Sequence, residues 1–569
     1  MLTAYSNKAN ESSPSSRLRK KAGPLRLLFG QNGSLTGQTV LTLLFVLLMA
    51  APVLAVLGQA FSTTKIAETL ASHSTWTAFR NSVILGVLVS VVSALLAYVL
   101  AWAMTVTNLA RYPLARAACL IPFMGPPYLM SLGWILFMEP GGSFQHFIPW
   151  AHPFASHFFS IWGLVAVMSL HLFPIPFVSA LEGFQTIKQR HDVIAKVHGA
   201  GMVYRWFRIW LPLSVPLVAA SSVLVFVKTI GEFGTPLVFG SLVHFPVLTT
   251  AIYLHMSNWP ISFSAAAQLS TLLLATVFMV WVLNDRYQKN AVPSDIKETP
   301  FSRLGAKHWS RYAAMGYLAL LGLVSLGIPV GSLLITSLLR IEGDGIHWSN
   351  LSLIHYVDVL KPGSGGLAAV GTSVELALAA ATLSVVLSVV LAVFAKFHVS
   401  RVVKFTEWLG LLPNSIPDVL LVIGLILFWN APWLPVTPYN TKWILVLGYV
   451  VVLFPFSYTY IRGALFRLAP ETWEAAQVHQ ASPWRTARVI VGPLMVPGMI
   501  SGWIMVFGVT LRDLVVPMLV SPPNTTVIST FIYGQYNQGS LPNAMALAVI
   551  TLLLTVVVFT AVQRTTSLR

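Results

Sequence analysis

The chain has 569 residues, 56% of them hydrophobic and 9% charged, with a mean hydropathy of +0.74. A water-soluble fold cannot hide that much apolar surface, so lipid is its main solvent. The formal charge of +17 does not mark a nucleic-acid footprint, because Lys and Arg gather in alternate connections between apolar runs. The single cysteine, Cys119, allows neither an intrachain disulfide nor a Cys metal cluster.

Taken in chain order, residues 1–35 read as a disordered basic tail containing Arg17, Arg19, Lys20, Lys21 and Arg26. The tail precedes a full-length span rather than a short h-region, so it does not read as a cleavable signal peptide. Runs long enough to cross the hydrocarbon core follow at 39–61, 82–107, 117–138, 161–184, 209–231 and 265–283. A basic stretch, 291–312, links them to a second set at 313–339, 367–395, 405–429, 443–465, 491–516 and 543–562. The predicted fold is therefore an all-α polytopic membrane protein of about twelve transmembrane helices. Its predicted units are 36–290 and 313–569. Loops 139–160, 233–264 and 519–542 contain no Lys or Arg. This positive-inside alternation predicts that both termini lie in the cytoplasm.

The two sets repeat one plan. His198 and His479, Phe173 and Phe454, Pro216 and Pro497, and Pro236 and Pro517 all match at an offset of 281. Upstream, Ser82 and Ser373, Pro122 and Pro413, Pro126 and Pro417, and Gly133 and Gly424 match at 291. The first half thus carries ten more residues, in the His-, Phe- and Pro-rich stretch around 139–159. Six spans per half predict parallel rather than inverted repeats. Prolines inside spans kink helices and free carbonyls, which requires a protein or water lining.

The most informative pair is a polar loop after the fourth span of each half, 186–212 and 467–493. In the second copy, Pro470-Glu471 and Ser482-Pro483 are two helix-start signals, which gives helix, tight turn, helix. In the first copy Gly199 and Gly201 supply the turn. Ala475 and Ala476 of the second copy present a small-residue surface that permits close approach by a partner.

This loop resembles the EAA motif of bacterial ABC-importer permeases: Glu-Ala-Ala, three residues, Gly, about nine residues, then Ile-x-Leu-Pro. The second copy has Glu474-Ala475-Ala476 and Ile490-x-x-Pro493, with Gln480 in the glycine position and Gly492 in the leucine position. The first keeps Gly199 and Ile209-x-Leu211-Pro212 but has Val193-Ile194-Ala195 in place of Glu-Ala-Ala, with Asp192 adjacent. Two fused units, with EFGTP at 232–236, look most like the ferric-iron-type permeases, whose family also serves phosphonates, polyamines, thiamine and sugar phosphates. The resemblance implies a type I importer permease in the bacterial inner membrane, with two ATPase subunits docked on the two loops. It also implies a periplasmic or lipid-anchored binding protein as partner, and coupling residues Asp192, Ile194, Ala195, Gly199, Ala200, Glu471, Glu474, Ala475, Ala476, Gln480 and Ala481. ATP and Mg would be bound by the partner subunits. This chain has no G-x-x-x-x-G-K-[ST] loop, and no cofactor or metal of its own is expected.

Intramembrane charges are functional candidates by default. Lys228 and Glu232, one helical turn apart, are expected to pair. Asp513 occupies the position equivalent to Glu232, beside Arg512. These four are the candidate path residues, set against a reading in which they merely end the fifth spans. His146, His152, His157, His244 and His255 suggest a metal relay less well than an amphipathic stretch on the outer surface. Among other classes, a gradient-driven transporter predicts a relay of intramembrane acids and histidines. A membrane enzyme would have to use His171 and His198, which lie at opposite ends of one span.

Overall fold

The computed structural model describes residues 36–62, 66–148, 152–291, 308–397, 400–467, 485 and 487–567. Those residues are mostly helical, with no strand among them and one isolated bridge between Leu339 and Leu351. Nine helices among them are long and apolar enough to cross a membrane, and three bent helix pairs bring the total to twelve if each counts as one span.

The bent pairs correct the sequence reading. The runs at 117–138 and 405–429 were expected to be continuous spans. The first is Pro113–Met124 and Pro127–Met138 meeting at 85°, and the second is Arg401–Ser415 and Asp418–Trp429 meeting at 117°. Proline lacks an N–H and disfavours helix in the residue before it, so the aligned Pro126 and Pro417 end each first piece. Each later piece has 12 residues, about 18 Å of helix against a core of about 30 Å. Residues 418–429 are buried nearly all round, as suits a helix that is apolar on every face. The fourth span bends by 53° between Ile161–Leu172 and Pro174–Ile187.

Small residues set how closely the helices pack, since lipid gives apolar side chains no reason to leave it. Gly86 accommodates Phe226 and Ile230, and Gly502 lies against Ser457. Two such contacts lock the halves together. Gly133 lies against the backbone of Pro329, in the first span of the second half, and Gly424 lies against Pro52, in the first span of the first half. Each half therefore receives the opening helix of the other.

The repeat extends to individual hydrogen bonds. Leu248 N–H donates to Ser82 Oγ (2.8 Å) and Ile528 N–H to Ser373 Oγ (2.9 Å). Thr249 Oγ1 donates to the Glu232 carbonyl (2.9 Å) and Ser529 Oγ to the Asp513 carbonyl (2.6 Å).

The additional stretch of the first half forms Ser143–Phe147 and His152–Phe158. One side of it packs on the helix bundle. Phe144 packs on Phe137 (5.4 Å), and Phe158 on Trp134 (5.4 Å) and Phe239 (5.5 Å), because aromatic edges and faces bury best against one another.

Candidate functional site

The first polar loop is built around one buried carboxylate. Lys188–Asp192 continues the fourth span as a wide turn, and Val193–Val197 forms a short helix. Gly199, at φ +76°, then reverses the chain in a backbone region that favours glycine. The fifth span begins at Val203. Asp192 is 3% exposed and accepts from Arg205 Nη1 (2.6 Å), Lys196 Nζ (2.8 Å) and Trp210 Nε1 (3.0 Å). Burial pushes its carboxyl up. The hydrogen bonds from Lys196 and Trp210 and the charges of Lys196 and Arg205 outweigh that and hold it below the usual carboxylate range. Asp192 thus ties the two arms together and does not face outward as an acidic handle.

What the loop presents is apolar. Ile194 is 60% exposed and Val197 80%, with Val203, Tyr204 and Phe207 also exposed. Ala195 and Ala200 are half-buried beside them. Ile194 and Val197 lie outside the spans, where exposed apolar residues mark a protein contact more often than bare solvent, whereas Val203, Tyr204 and Phe207 open the fifth span.

The loop is anchored by a lysine. Lys188 Nζ donates to the Thr105 carbonyl (2.6 Å) and Asn108 Oδ1 (2.8 Å), where the 73–106 helix ends with unsatisfied carbonyls. Burial, then the Lys196 charge, push the Lys188 amine down, against the pull of Asp192. The second half has the reciprocal arrangement. Lys396, at the position equivalent to Thr105, donates to the Leu465 carbonyl (2.6 Å) at the end of the fourth span. Glu471, Glu474, Ala475, Ala476, Gln480 and Ala481 lie outside the described residues.

The second constellation lies where the halves meet. Both oxygens of Glu232 accept from Thr235 N–H (3.0 Å each), and Asp513 Oδ2 accepts from Val516 N–H (2.9 Å). Each carboxylate caps the turn that follows it, a favoured place for negative charge. Lys228 is exposed and makes no ion pair with Glu232, contrary to expectation, because the carboxylate is turned to that cap. The two loops touch: the Cβ position of Gly234 falls 3.7 Å from Leu514 and 3.0 Å from Tyr128, and that of Gly231 falls 3.3 Å from Pro417.

Asp418 and Tyr128 were missed in the sequence. Asp418 lies within electrostatic reach of Glu232, Asp513 and Lys228. It directly follows Pro417, so an acid beside an aligned proline was the available signal. Tyr128 is buried within reach of Arg512 and Asp513, and its hydroxyl has no hydrogen-bond partner among the described residues. His171 has a structural explanation. Pro126 has no N–H to offer the Pro122 carbonyl, and His171 Nδ1 lies 3.0 Å from that oxygen instead. No three His, Cys, Asp or Glu side chains among the described residues are grouped to hold a metal.

Comparison with known proteins fits this architecture. Residues 384–567 match the family described as binding-protein-dependent transport system inner membrane component. The chain is 22% identical over 507 residues to a putative ferric transport system permease protein of Haemophilus influenzae, covering 85% of this chain and 77% of the relative. It is 23% identical over 253 residues to a putative 2-aminoethylphosphonate permease of Salmonella typhimurium, covering 44% of this chain but 94% of that shorter protein. A putrescine transport system permease of Escherichia coli is 29% identical over 214 residues, covering 36% of this chain and 74% of the relative. A relative about half as long that fits within one part of the chain agrees with two fused units. Residues 384–567 thus carry the match to the binding-protein-dependent inner membrane components, and the chain is a permease of the binding-protein-dependent ABC transport type.

Proposed function

We propose that this chain is the membrane path of an ATP-driven importer, with two ATPase subunits docked on loops 186–212 and 467–493 and a binding protein delivering cargo from outside. Both termini then lie in the cytoplasm, with 1–35 as a tail, 36–290 and 313–569 as the units, and 291–312 as their linker. The observation that carries this reading is the first loop: a turn fixed by Asp192, clamped to the helix bundle by Lys188, with Ile194 and Val197 bare at its tip. Such a rigid lever transmits a push from a docked subunit to the fourth and fifth spans. ATP and Mg are bound by the ATPases, not by this chain. Coupling is asymmetric, with Glu474 giving the second loop an acidic contact where the first offers an apolar one.

Ferric iron is the proposed cargo, supported by the similarity to the ferric permease along most of the chain. The phosphonate and putrescine permeases mark the alternatives of the same machinery, and thiamine or a sugar phosphate would use the same parts. Cargo passes the seam of Glu232, Asp418, Arg512 and Asp513, with Lys228 at its edge. A thermal-shift screen of the partner binding protein tests the cargo. Stabilisation by Fe(III) supports it; no shift with Fe(III), together with a shift by 2-aminoethylphosphonate or putrescine, overturns it.

A further inference from the structure

Between the 73–106 helix and the fifth and sixth spans of the first half lies a groove of about 690 Å³. Its floor and walls are largely apolar, with Val83, Val87, Phe226 and Met279 among the lining residues. Trp76 and Arg80 stand along one side, both exposed. Arg80 has no carboxylate or hydrogen-bond partner among the described residues, although it sits on a helix that crosses the membrane. A lone guanidinium there needs an anion from outside the chain. Trp76 marks the same end as headgroup level, since Trp concentrates at the membrane–water interface. Charge and apolar length thus coincide as in an anionic lipid, phosphate at one end and acyl chain beyond.

The repeat supplies an internal comparison. At the offset of 291, Arg80 corresponds to Gly371 and Trp76 to Leu367, while Val83 corresponds to Val374. The second half keeps Val374, Leu378 and Phe507 of the apolar wall, has Thr560 at the position of Met279, and lacks both headgroup-level residues. A groove that merely fitted generic bilayer would not need the cation in one copy alone.

We propose that this groove is a binding site for one anionic phospholipid, its phosphate on Arg80 and an acyl chain along Val83, Val87, Phe226 and Met279. The site belongs to the first half only and is independent of which cargo the permease carries.

The test uses the full chain in nanodiscs of phosphatidylcholine doped with a photoactivatable phosphatidylglycerol, with labelled peptides mapped after irradiation. Labelling is expected around Val83–Val87 and not around Val374–Leu378. Arg80→Gln should reduce it about five-fold, the size expected of one basic residue meeting an anionic lipid, while Arg80→Lys retains most of it. Val83→Trp should block it by filling the groove, and inorganic phosphate in excess should not compete. Equal labelling by a phosphatidylcholine probe, labelling indifferent to Arg80→Gln in protein of unchanged melting temperature, or displacement by inorganic phosphate alone would each overturn the proposal.

Discussion

Gly133 packs with its Cα against the carbonyl of Pro329, and a Cβ added there overlaps that backbone. The second half repeats the contact with Gly424 and Pro52. Backbone cannot swing aside as a side-chain tip can, so these two glycines fix how close the halves come. Gly133→Ala and Gly424→Ala should each destabilise the protein by about 1–3 kcal/mol, the usual cost of overpacking. Gly331→Ala, with open space around its Cβ position, should be neutral or slightly stabilising through helix propensity. Thermal unfolding in detergent compares the three.

Asp192 should hold the first loop in shape. Its carboxyl is held below the usual range, so its contribution is complete above its unfolded pKa of about 3.9 and is lost as pH falls through the lower folded value. Asp192→Asn removes charge-assisted bonds to Arg205 and Lys196 and should loosen the loop by about 2 kcal/mol. Hydrogen exchange at neutral pH should show faster exchange in 193–205, with the 73–106 helix unchanged. Slow exchange retained in the loop would remove Asp192 from this role.

Glu139, outside the spans, gives the opposite sign. Burial, then the nearby Glu342 charge, push its carboxyl up to about 7. A raised carboxyl costs stability above its folded pKa, and the cost disappears as pH falls toward the unfolded value of about 4.3. Glu139→Gln should therefore raise the melting temperature at pH 8 and have a much smaller effect at pH 5, approaching none near pH 4. An equal effect at both pH values would contradict the assignment.

Tyr128 separates path from packing. Its hydroxyl is buried without a hydrogen-bond partner among the described residues, so Tyr128→Phe should not lower stability. If the seam carries cargo, uptake in reconstituted vesicles should fall several-fold in Tyr128→Phe and in Asp418→Asn while the assembled complex still hydrolyses ATP. Full uptake in both variants would place the path elsewhere.

The duplicated plan was legible because the aligned prolines, glycines and loop histidines survive in sequence at fixed offsets. The breaks at Pro126 and Pro417 were half legible: the prolines were visible, but apolar composition alone does not distinguish one continuous span from two shorter helices meeting at a steep angle. Asp192 was found but its direction was not, because the carboxylate faces inward only once Arg205 and Trp210, 13 and 18 residues later, fold onto it. Lys228 and Glu232 had the right spacing for a pair, yet spacing along one helix could not reveal the competing Thr235 N–H beyond its end. Asp418 escaped notice because its neighbours are distant in sequence.

The central claim is that the two loops are where ATPase subunits dock. The direct measurement is co-purification of the ATPase with a permease in which Ile194 and Val197 of the first loop and Glu474 and Ala475 of the second are all replaced by arginine. The account predicts that this protein still folds and inserts, as judged by an unchanged melting temperature, and brings down no ATPase. ATPase recovered at the wild-type ratio would contradict it.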